Sequence, residues 1–309
     1  MYFNDETNNT GLIQDCESIL GMEDAEISGD TTKLKNFTRF INIWYRRVNS
    51  WIWEATDTWE YDDSNWDDFP IATTTIVNSQ QDYAIPSTAQ RVDRVEILDI
   101  SGDYQLLEPL DKDDIKDSSL SEHLETPGLP THYDMTGRSI FLYPKPSTAK
   151  VTALLGLKIY FVRDIKEFAY KEGTADATLT DHLVDDASAQ FTADDIGRTA
   201  KNTTDTTEAT ITALTDSGDV TVSSDIFIDT EEYKICSDSQ EPGFVNNFHR
   251  LLSLGASYDY CISYEVGEKA NFIKGQINEM KEELKTFYAS RVPNIPINVS
   301  GASNFNNYE

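Results

Sequence analysis

The segment at residues 57–69 holds the densest group of side chains suited to binding a cation. Its letters, DTWEYDDSNWDDF, place six carboxylates within twelve residues and no Lys or Arg among them. The fragment at residues 63–67 matches the opening of a calcium loop, in which oxygen ligands alternate along the chain. The match ends there, because Asp68 stands where that loop needs Gly and Thr74 where it needs Glu. We interpret the segment as a solvated acidic connection, with a divalent-cation site as the alternative.

The histidines and cysteines form no recognisable metal-binding or redox motif. No two histidines are spaced i,i+4, no HExxH occurs, and no two cysteines form a CxxC pair, which are the spacings that zinc sites and disulfide frameworks use. His249, beside Arg250 at the expected start of a helix, is a candidate active-site acid, although we favour a structural cap or interface role. The residues concerned are His123, His132, His182, His249, Cys16, Cys236 and Cys261.

Motifs for nucleophilic catalysis and phosphate binding are also absent. The chain has no GxSxG, no GxxxxGK(S/T) and no GxGxxG. Its 54 Asp and Glu side chains are too many for spacing to single out an acid/base pair of the glycosidase kind. The sequence therefore predicts a protein that is not an enzyme, with no catalytic residue, no metal site and no cofactor.

The charge balance argues against binding to surfaces made of phosphate. Lys and Arg number 25 against 54 Asp and Glu, which gives a formal net charge of -29. Tight binding to nucleic acid, or to an anionic membrane, needs clustered cations. The longest apolar run, residues 151–162, is too short to span a bilayer, and the chain starts without the basic segment of a secretion signal. We expect a soluble chain that stays where it is made unless it is assembled into something larger.

Two helices are predicted at the N-terminal end. Residues 10–22 have apolar residues at helical spacing, and a longer helix, with Asp30 or Thr31 as its N-cap, runs to about Thr56. The longer helix has an apolar stripe on one side. Its opposite, polar side carries Lys35, Arg39, Asn42, Arg46 and Asn49.

Two further helices and a tail are predicted at the C-terminal end. The helices cover residues 248–262 and 268–291, and Pro293 and Pro296 prevent the second from continuing. The second helix has an apolar seam, suited to packing on a neighbouring helix or subunit, made of Ile273, Ile277, Met280, Leu284 and Phe287. The tail, residues 292–309, is too polar to fold alone but carries apolar anchors for a binding partner at Ile295, Ile297, Val299, Phe305 and Tyr308.

Between the helices the apolar period changes to two, which predicts strands. A first β region has expected strands at residues 72–77, 81–85, 91–100, 104–107, 139–143 and 152–162. After residue 173 the composition shifts to Thr, Asp and Ala, with expected strands at residues 209–214, 219–223 and 232–236. Residues 174–236 contain fourteen acids and three bases, a net charge of -11. We interpret them as a small all-β module inserted in a loop.

These elements predict an α+β protein, with a helical bundle, an antiparallel β domain and a separate small all-β inserted module. The expected divisions are the N-terminal helices with the acidic Trp-rich loop (1–70), the antiparallel β domain (71–170), the inserted module (174–236), the C-terminal helices that complete the bundle (241–291) and the extended tail (292–309).

A set of short stretches follows one another in a characteristic order. They are WIWEA, WEYDDSNWDDFP, QQDYAIP, GLPTHYD, IFLYPKP, EPGF and FHRLLSLGA. In this order they resemble the head-to-tail adaptor proteins of tailed bacteriophages, also called connector or tail accessory factors. The resemblance covers residues 31–163 and 241–291. Residues 174–236 depart from the family's pattern, so no role is carried over to them.

The resemblance implies a structural virion protein that forms a homo-oligomeric ring, expected to be a dodecamer, beneath the portal. The ring would join the portal to the tail and continue the DNA channel. The implied partners are the portal protein, the tail nozzle or a second adaptor, and further copies of this chain; DNA only passes through, and no membrane is involved. The implied location is the head-tail junction of the virion, after synthesis in the cytoplasm of the host bacterium. The tail (292–309) would dock on the portal or a neighbouring subunit.

Two other functions are compatible with parts of the sequence. All five tryptophans lie between Trp44 and Trp66, which suits a carbohydrate-binding or carbohydrate-active β protein that uses the Trp- and Asp-rich segment. We favour a core role for these tryptophans, because the first two fall on the apolar stripe of the long helix. The other alternative is a virion decoration or fibre protein in which the inserted module is the exposed element.

Overall fold

The computed structural model of this chain describes residues 1–56, 65–66, 68–110 and 126–290. The predicted mixture of α and β structure is confirmed, and most of the sheet pairings are antiparallel. The chain divides into two compact units: unit 1 comprises Met1–Trp59 and Lys166–Glu309, and unit 2 comprises Glu60–Ile165. None of the described helices has an apolar stretch that would cross a membrane.

Unit 1 contains the described α-helices, whose bounds are α1 Leu12–Leu20, α2 Thr31–Ala55, α3 Arg250–Ser263 and α4 Gly267–Ala289. Asp30 is the N-cap of α2, because its side chain accepts hydrogen bonds from the backbone N–H groups of Thr32 at 2.9 Å and Lys33 at 3.1 Å. Helix α1 ends where Gly21 takes a φ of 67°, a conformation that favours glycine. The predicted helix at residues 10–22 and the long helix after Asp30 are therefore confirmed.

The predicted apolar stripe of α2 packs against α3 and α4, and α1 packs against α3. Gly255 of α3 gives the indole of Trp44 its space, since a Cβ at that position would lie 2.1 Å from Trp44 Cδ2. Full burial of a large apolar side chain stabilises the folded state by roughly 1.5 to 3 kcal/mol. The buried members of the stripe are Leu34, Phe37, Ile41, Trp44, Val48 and Ile52.

Helix α2 also has a second buried face, which the sequence pattern did not predict. Tyr45 is buried on this face, with its ring stacked on Phe168 at 5.5 Å between centroids and tilted against Phe244 at 5.8 Å. Asn49 lies one turn after Tyr45 and is only 5% exposed. The assignment of Asn49 to the polar side was therefore wrong, because this face of the helix packs on the segments that contain Phe168 and Phe244, while the apolar stripe packs on α3 and α4.

A six-stranded antiparallel sheet is the β part of unit 1. Its strand order is β10-β13-β12-β11-β14-β9, and the backbone N–H of Asp176, just after β9, donates to Val184 O of β10 at 2.8 Å. This bond brings the two ends of the sheet together, so we call the sheet the barrel. Its strands are β9 Tyr170–Thr174, β10 His182–Val184, β11 Thr199–Asn202, β12 Glu208–Asp216, β13 Asp219–Val222 and β14 Glu232–Cys236. Its core includes Leu183, Phe191, Ala200, Ile211, Val220, Phe227, Tyr233 and Ile235.

Unit 2 consists of two four-stranded sheets with the orders β1-β8-β3-β4 and β2-β7-β6-β5. The strands are β1 Ile71–Thr74, β2 Asp82–Ala84, β3 Ala89–Leu98, β4 Tyr104–Leu106, β5 Glu108–Pro109, β6 His132–Thr136, β7 Ser139–Tyr143 and β8 Leu157–Arg163. The β5–β6 pair runs parallel and the other pairs are antiparallel. One apolar core contains Tyr83, Val95, Ile97, Ile140, Leu142, Leu157 and Ile159.

The strand predicted at residues 152–162 begins later than expected, at Leu157. The preceding residues form a turn in which Leu155 has a φ of 53°, outside the range of a strand. Leu154 and Leu155 are 69% and 49% exposed. These two apolar side chains are therefore not part of the core of unit 2.

Candidate interaction surface

The predicted seam of α4 packs inside unit 1. Ile273, Ile277 and Leu284 are buried, while Met280 and Phe287 are half-buried. The ring of Phe287 lies 5.6 Å from that of Phe248, and α4 contacts both α3 and α2. The seam is thus used within the chain by neighbouring helices.

Two of the predicted features fall largely outside the described residues. These are the tail with Ile295, Ile297, Val299, Phe305 and Tyr308, and most of the acidic segment at 57–69. At the end of that segment, Asp68 accepts a hydrogen bond from Arg163 Nη2 at 2.8 Å. Across the parts of the chain that are described, no three His, Cys, Asp or Glu side chains are grouped so as to hold a metal ion.

His249 is a buried residue that is only 1% exposed. Its Nε2 donates to the carbonyl of Phe244 at 2.7 Å, and its Nδ1 lies 2.9 Å from the amino nitrogen of Met1. Burial lowers the pKa of His249 to about 4, despite the hydrogen bond to Phe244. The imidazole is therefore neutral at pH 7 and ties the start of α3 to the preceding loop, which fits the favoured structural role rather than that of an active-site acid.

The first of the five tryptophans, for which a core role was favoured, is part of the helix packing. Trp44 is 5% exposed, and its Nε1 donates to Asp259 Oδ2 at 2.9 Å. Its ring meets those of Trp51 and Tyr258 edge to face at 6.1 and 6.2 Å. Trp44 therefore has no free face on which a sugar ring could stack.

The outward side of α2 carries a row of cations in an otherwise acidic chain. The helix contains five Lys and Arg side chains and one carboxylate, although the whole chain has a net charge of -29. Four exposed residues follow one another at helical spacing, and we call them the α2 ridge: Lys35, Arg39, Ile43 and Arg46.

A groove lies on each side of the α2 ridge. The first has a volume of about 340 Å³ and is closed on its far side by Glu167 and Tyr170. The second has a volume of about 280 Å³ and is lined by the aromatic rings of Phe40, Tyr260 and Tyr264. Arg39 lines both grooves.

The cations of the ridge differ in how their charge is compensated. Lys35 Nζ pairs with Glu172 at 2.5 Å, and Arg46 Nε pairs with Glu167 at 2.5 Å. Arg39 has no carboxylate within ion-pair distance among the residues that the structure describes, and its guanidinium lies 5.2 Å from the centroid of the Phe40 ring. Arg39 is consequently available to a carboxylate from outside the chain.

This surface was not predicted from the sequence, although the polar side of the helix was. The available signal was the excess of four positive charges in α2, in a chain where acids outnumber bases by two to one. The two grooves could not be read from the helix alone, because their other walls come from the chain before β9 and from the C-terminal end of α3.

A comparison with known protein families identifies the family of this chain. A family model described as SU10 adaptor protein matches residues 12–187, more than half of the chain. The chain belongs to the SU10 adaptor protein family. The match confirms the resemblance to phage adaptors. It includes α1, α2 and all of unit 2, and it continues into the barrel as far as residue 187. The match thus enters the segment that was expected to depart from the family, and it does not extend to residues 241–291. No curated protein matches the sequence.

Membership of this family makes the chain a phage adaptor, which is a structural kind of virion protein. The cysteines of this adaptor are buried and free. Burial raises the pKa of Cys16, Cys236 and Cys261, in the case of Cys236 to about 12. They remain thiols at neutral pH and are poor nucleophiles.

Proposed function

We propose that this adaptor forms a homo-oligomeric ring beneath the portal, which joins the portal to the tail and continues the DNA channel. The observation that carries the proposal is the family match over residues 12–187. The net charge of -29 supports it, because a channel wall that repels phosphate lets DNA slide without holding it. The expected ring is a dodecamer at the head-tail junction, with the portal above and a tail nozzle or second adaptor below.

The proposed organisation of the subunit has three folded parts. Helices α1 to α4 form a helical bundle, unit 2 is the β domain, and the barrel is an inserted module. The barrel includes β9 and so begins at Tyr170, before the expected start of the module at residue 174. The insertion is supported at its ends, where Ala169 N donates to Ser237 Oγ at 2.8 Å and Ser237 N donates to Ala169 O at 3.2 Å. A module whose ends meet in this way can be accommodated in a loop at small entropic cost.

The tail at 292–309 is proposed to dock on the portal or on a neighbouring subunit. Its apolar side chains lie in a polar segment with two prolines, a composition typical of segments that order on binding. Each buried anchor would contribute roughly 1.5 to 3 kcal/mol before the cost of ordering is subtracted. In a ring, neighbouring tails would engage at high effective concentration.

Native mass spectrometry and light scattering of the adaptor, alone and with its portal, test the proposed ring. The expected result is a high-order complex whose mass is that of the portal plus many adaptor chains. A chain that stays monomeric with every portal offered would exclude the ring.

A further inference from the structure

We propose that the α2 ridge binds the acidic side of the barrel of a second copy of this chain, so that neighbouring subunits join head to tail. The inference rests on the proposed ring and names the surfaces through which its subunits meet. It concerns unit 1 alone, which contains both surfaces.

Electrostatics restricts where two copies of this chain can touch. Each copy carries a net charge of -29, so acidic surfaces of two copies repel one another. A stable contact therefore needs a cationic surface on at least one side. In the α2 ridge, Arg39 lacks a carboxylate partner within the described ranges. An arginine left in this state can form a charge-assisted pair with an incoming carboxylate.

The aromatic groove beside the ridge adds apolar area to this cationic surface. Tyr264 is 66% exposed, and its ring lies 4.4 Å from that of Tyr260. Ile43, in the ridge itself, is 39% exposed. Tyr and Arg are enriched at the centres of protein interfaces, and here they surround the half-buried ring of Phe40. The ridge is therefore built for a protein surface that is both acidic and partly apolar.

The barrel offers such an acidic surface on one half only. Its cations lie on or next to β9, β11 and β14. Lys171 and Arg198 pair with Asp195 at 2.5 and 2.6 Å, Lys201 pairs with Asp238 at 3.0 Å, and Lys234 Nζ lies 5.5 Å from the centroid of the Tyr170 ring. Strands β10, β12 and β13 contain no Lys or Arg. The negative charge of the β10–β12–β13 half is therefore not balanced by cations of its own strands.

The turn between β12 and β13 carries the most concentrated part of this charge. Asp216 Oδ1 accepts a hydrogen bond from Gly218 N at 2.8 Å. Asp186 lies beside the same turn, since a Cβ on Gly218 would stand 2.4 Å from Asp186 Oδ1. Both carboxylates are exposed. We call Asp186 and Asp216 the acidic turn, and it is the proposed partner of Arg39 in the next copy.

The positions of the two surfaces make the contact heterologous. The α2 ridge adjoins β9 through the Lys35–Glu172 pair, whereas β12 is three positions away from β9 in the strand order. A contact that uses the ridge of one copy and the acidic turn of another leaves one unused surface on each copy. Such contacts continue from subunit to subunit and close into a ring when the rotation allows.

Nucleic acid is the less favoured occupant of the ridge. Two of its three cations are already paired with Glu167 and Glu172, and the surrounding chain is strongly negative. Phosphate binding depends on releasing counterions from several free cations. Loss of DNA retention, rather than of self-association, on changing Arg39 would therefore count against the inference.

The test compares charge reversals on the two surfaces with a matched control. Arg39→Glu alters the ridge, and Asp186→Arg with Asp216→Arg alters the acidic turn. Lys274→Glu on the exposed face of α4 makes the same change of charge in unit 1 away from both surfaces. Circular dichroism and thermal melting confirm that each variant is folded. Ring formation with portal is then followed by sedimentation velocity.

The expected result is that each altered surface weakens ring formation at least about tenfold, the effect of losing one well-placed charge pair. Lys274→Glu should assemble like the wild type. An equimolar mixture of the ridge variant and the turn variant should recover rings of alternating subunits, because every contact between unlike subunits then joins opposite charges. The triple variant, in which the charges are exchanged, should recover rings.

Two outcomes would overturn the inference, and they are distinguishable. If the wild type forms rings and Arg39→Glu forms them equally well, the ridge is not the contact although the proposed function stands. If the wild type never assembles with portal, the proposed function fails and the inference with it. Carbodiimide cross-linking of isotope-labelled and unlabelled copies gives an independent check. It should join Lys33 or Lys35 of one copy to the acidic turn of another, and cross-links confined to other peptides would contradict the assignment.

Discussion

At the scale of single residues, burial decides what the candidate chemical groups can do. The sequence offered His249 as a candidate acid and contains three cysteines outside any recognisable motif, and all four side chains lie in the interior. Desolvation favours the neutral form of each, which lowers the pKa of the imidazole and raises the pKa of the thiols. Spacing along the chain could not reveal this, because burial depends on segments distant in sequence.

His249 should make the stability of the protein depend on pH. Its pKa is about 4 in the folded state and about 6.5 in the unfolded state, so the unfolded chain binds a proton that the folded chain does not. The free energy of unfolding should therefore fall as the pH drops from 6.5 towards 4, by roughly 2 to 3 kcal/mol from this residue. Urea titrations of the wild type and of His249→Gln at pH 7.5 and 4.5 measure the effect. The variant should lose less stability on acidification, and equal losses would rule out this role of His249.

Gly255 is required by the ring of Trp44 and not by the helix. Gly255→Ala places a methyl group against the indole and should lower the free energy of unfolding by about 1 to 3 kcal/mol, although Ala favours helix. Gly275→Ala in α4 is the matched control, since nothing lies within 4 Å of the added Cβ, and it should raise the free energy of unfolding by about 0.5 to 1 kcal/mol. Chemical denaturation measures the free energy of unfolding of each variant. Similar effects of the two substitutions would contradict the described packing of Trp44 against Gly255 of α3.

At the scale of elements, the sequence predicted what local chemistry determines. Helix α2 combines an N-cap at Asp30 with an apolar stripe, and both signals lie within the helix. Five strands were not predicted, because three of them are short and two are polar, and their place is fixed by pairing with other strands. The short ones are β5, β10 and β11, and the polar ones are β6 and β9. The strand at 152–162 was extended too far, because Leu154 and Leu155 have the composition of a strand but lie in an exposed turn.

The barrel should be removable from unit 1 when it is cut at Ala169 and Ser237. Replacing residues 170–236 by a short Gly/Ser link joins two residues that already bond to each other. The lost contacts with α2 include exposed ion pairs, which contribute little to the free energy of unfolding. The melting temperature should therefore fall by less than about 10 °C. The control replaces residues 174–236, which keeps most of β9 but removes its partner β14, and it should melt lower or aggregate. Non-cooperative melting of the first variant would mean that the barrel is part of the main core.

At the scale of the whole molecule, the family and the α+β architecture followed from the sequence but the interaction surface did not. The order of short motifs pointed to phage adaptors, which the family match confirms. The α2 ridge escaped notice because it depends on which cations are compensated by Glu167 and Glu172, far away in sequence. The net charge of -29 argued against binding to phosphate surfaces, whereas the α2 ridge suits an acidic protein surface.

The proposed docking of the tail predicts that stability and attachment respond differently to truncation. Ending the chain after Arg291 removes Ile295, Ile297, Val299, Phe305 and Tyr308. The melting temperature should stay nearly unchanged, while capture by immobilised portal should weaken sharply, because anchors that order on a partner contribute only to binding. Equal capture of both chains would remove the docking role. A large fall in melting temperature would show instead that the tail packs on its own subunit.

We expect this adaptor to assemble as a ring on the portal, and cryo-electron microscopy of the two purified proteins after mixing would make that ring visible. The images should show an additional ring of density coaxial with the portal, into which copies of unit 1 fit with the α2 ridge of each facing the acidic turn of the next. Portal particles unchanged by a large excess of adaptor, with the adaptor left as free monomer, would contradict it.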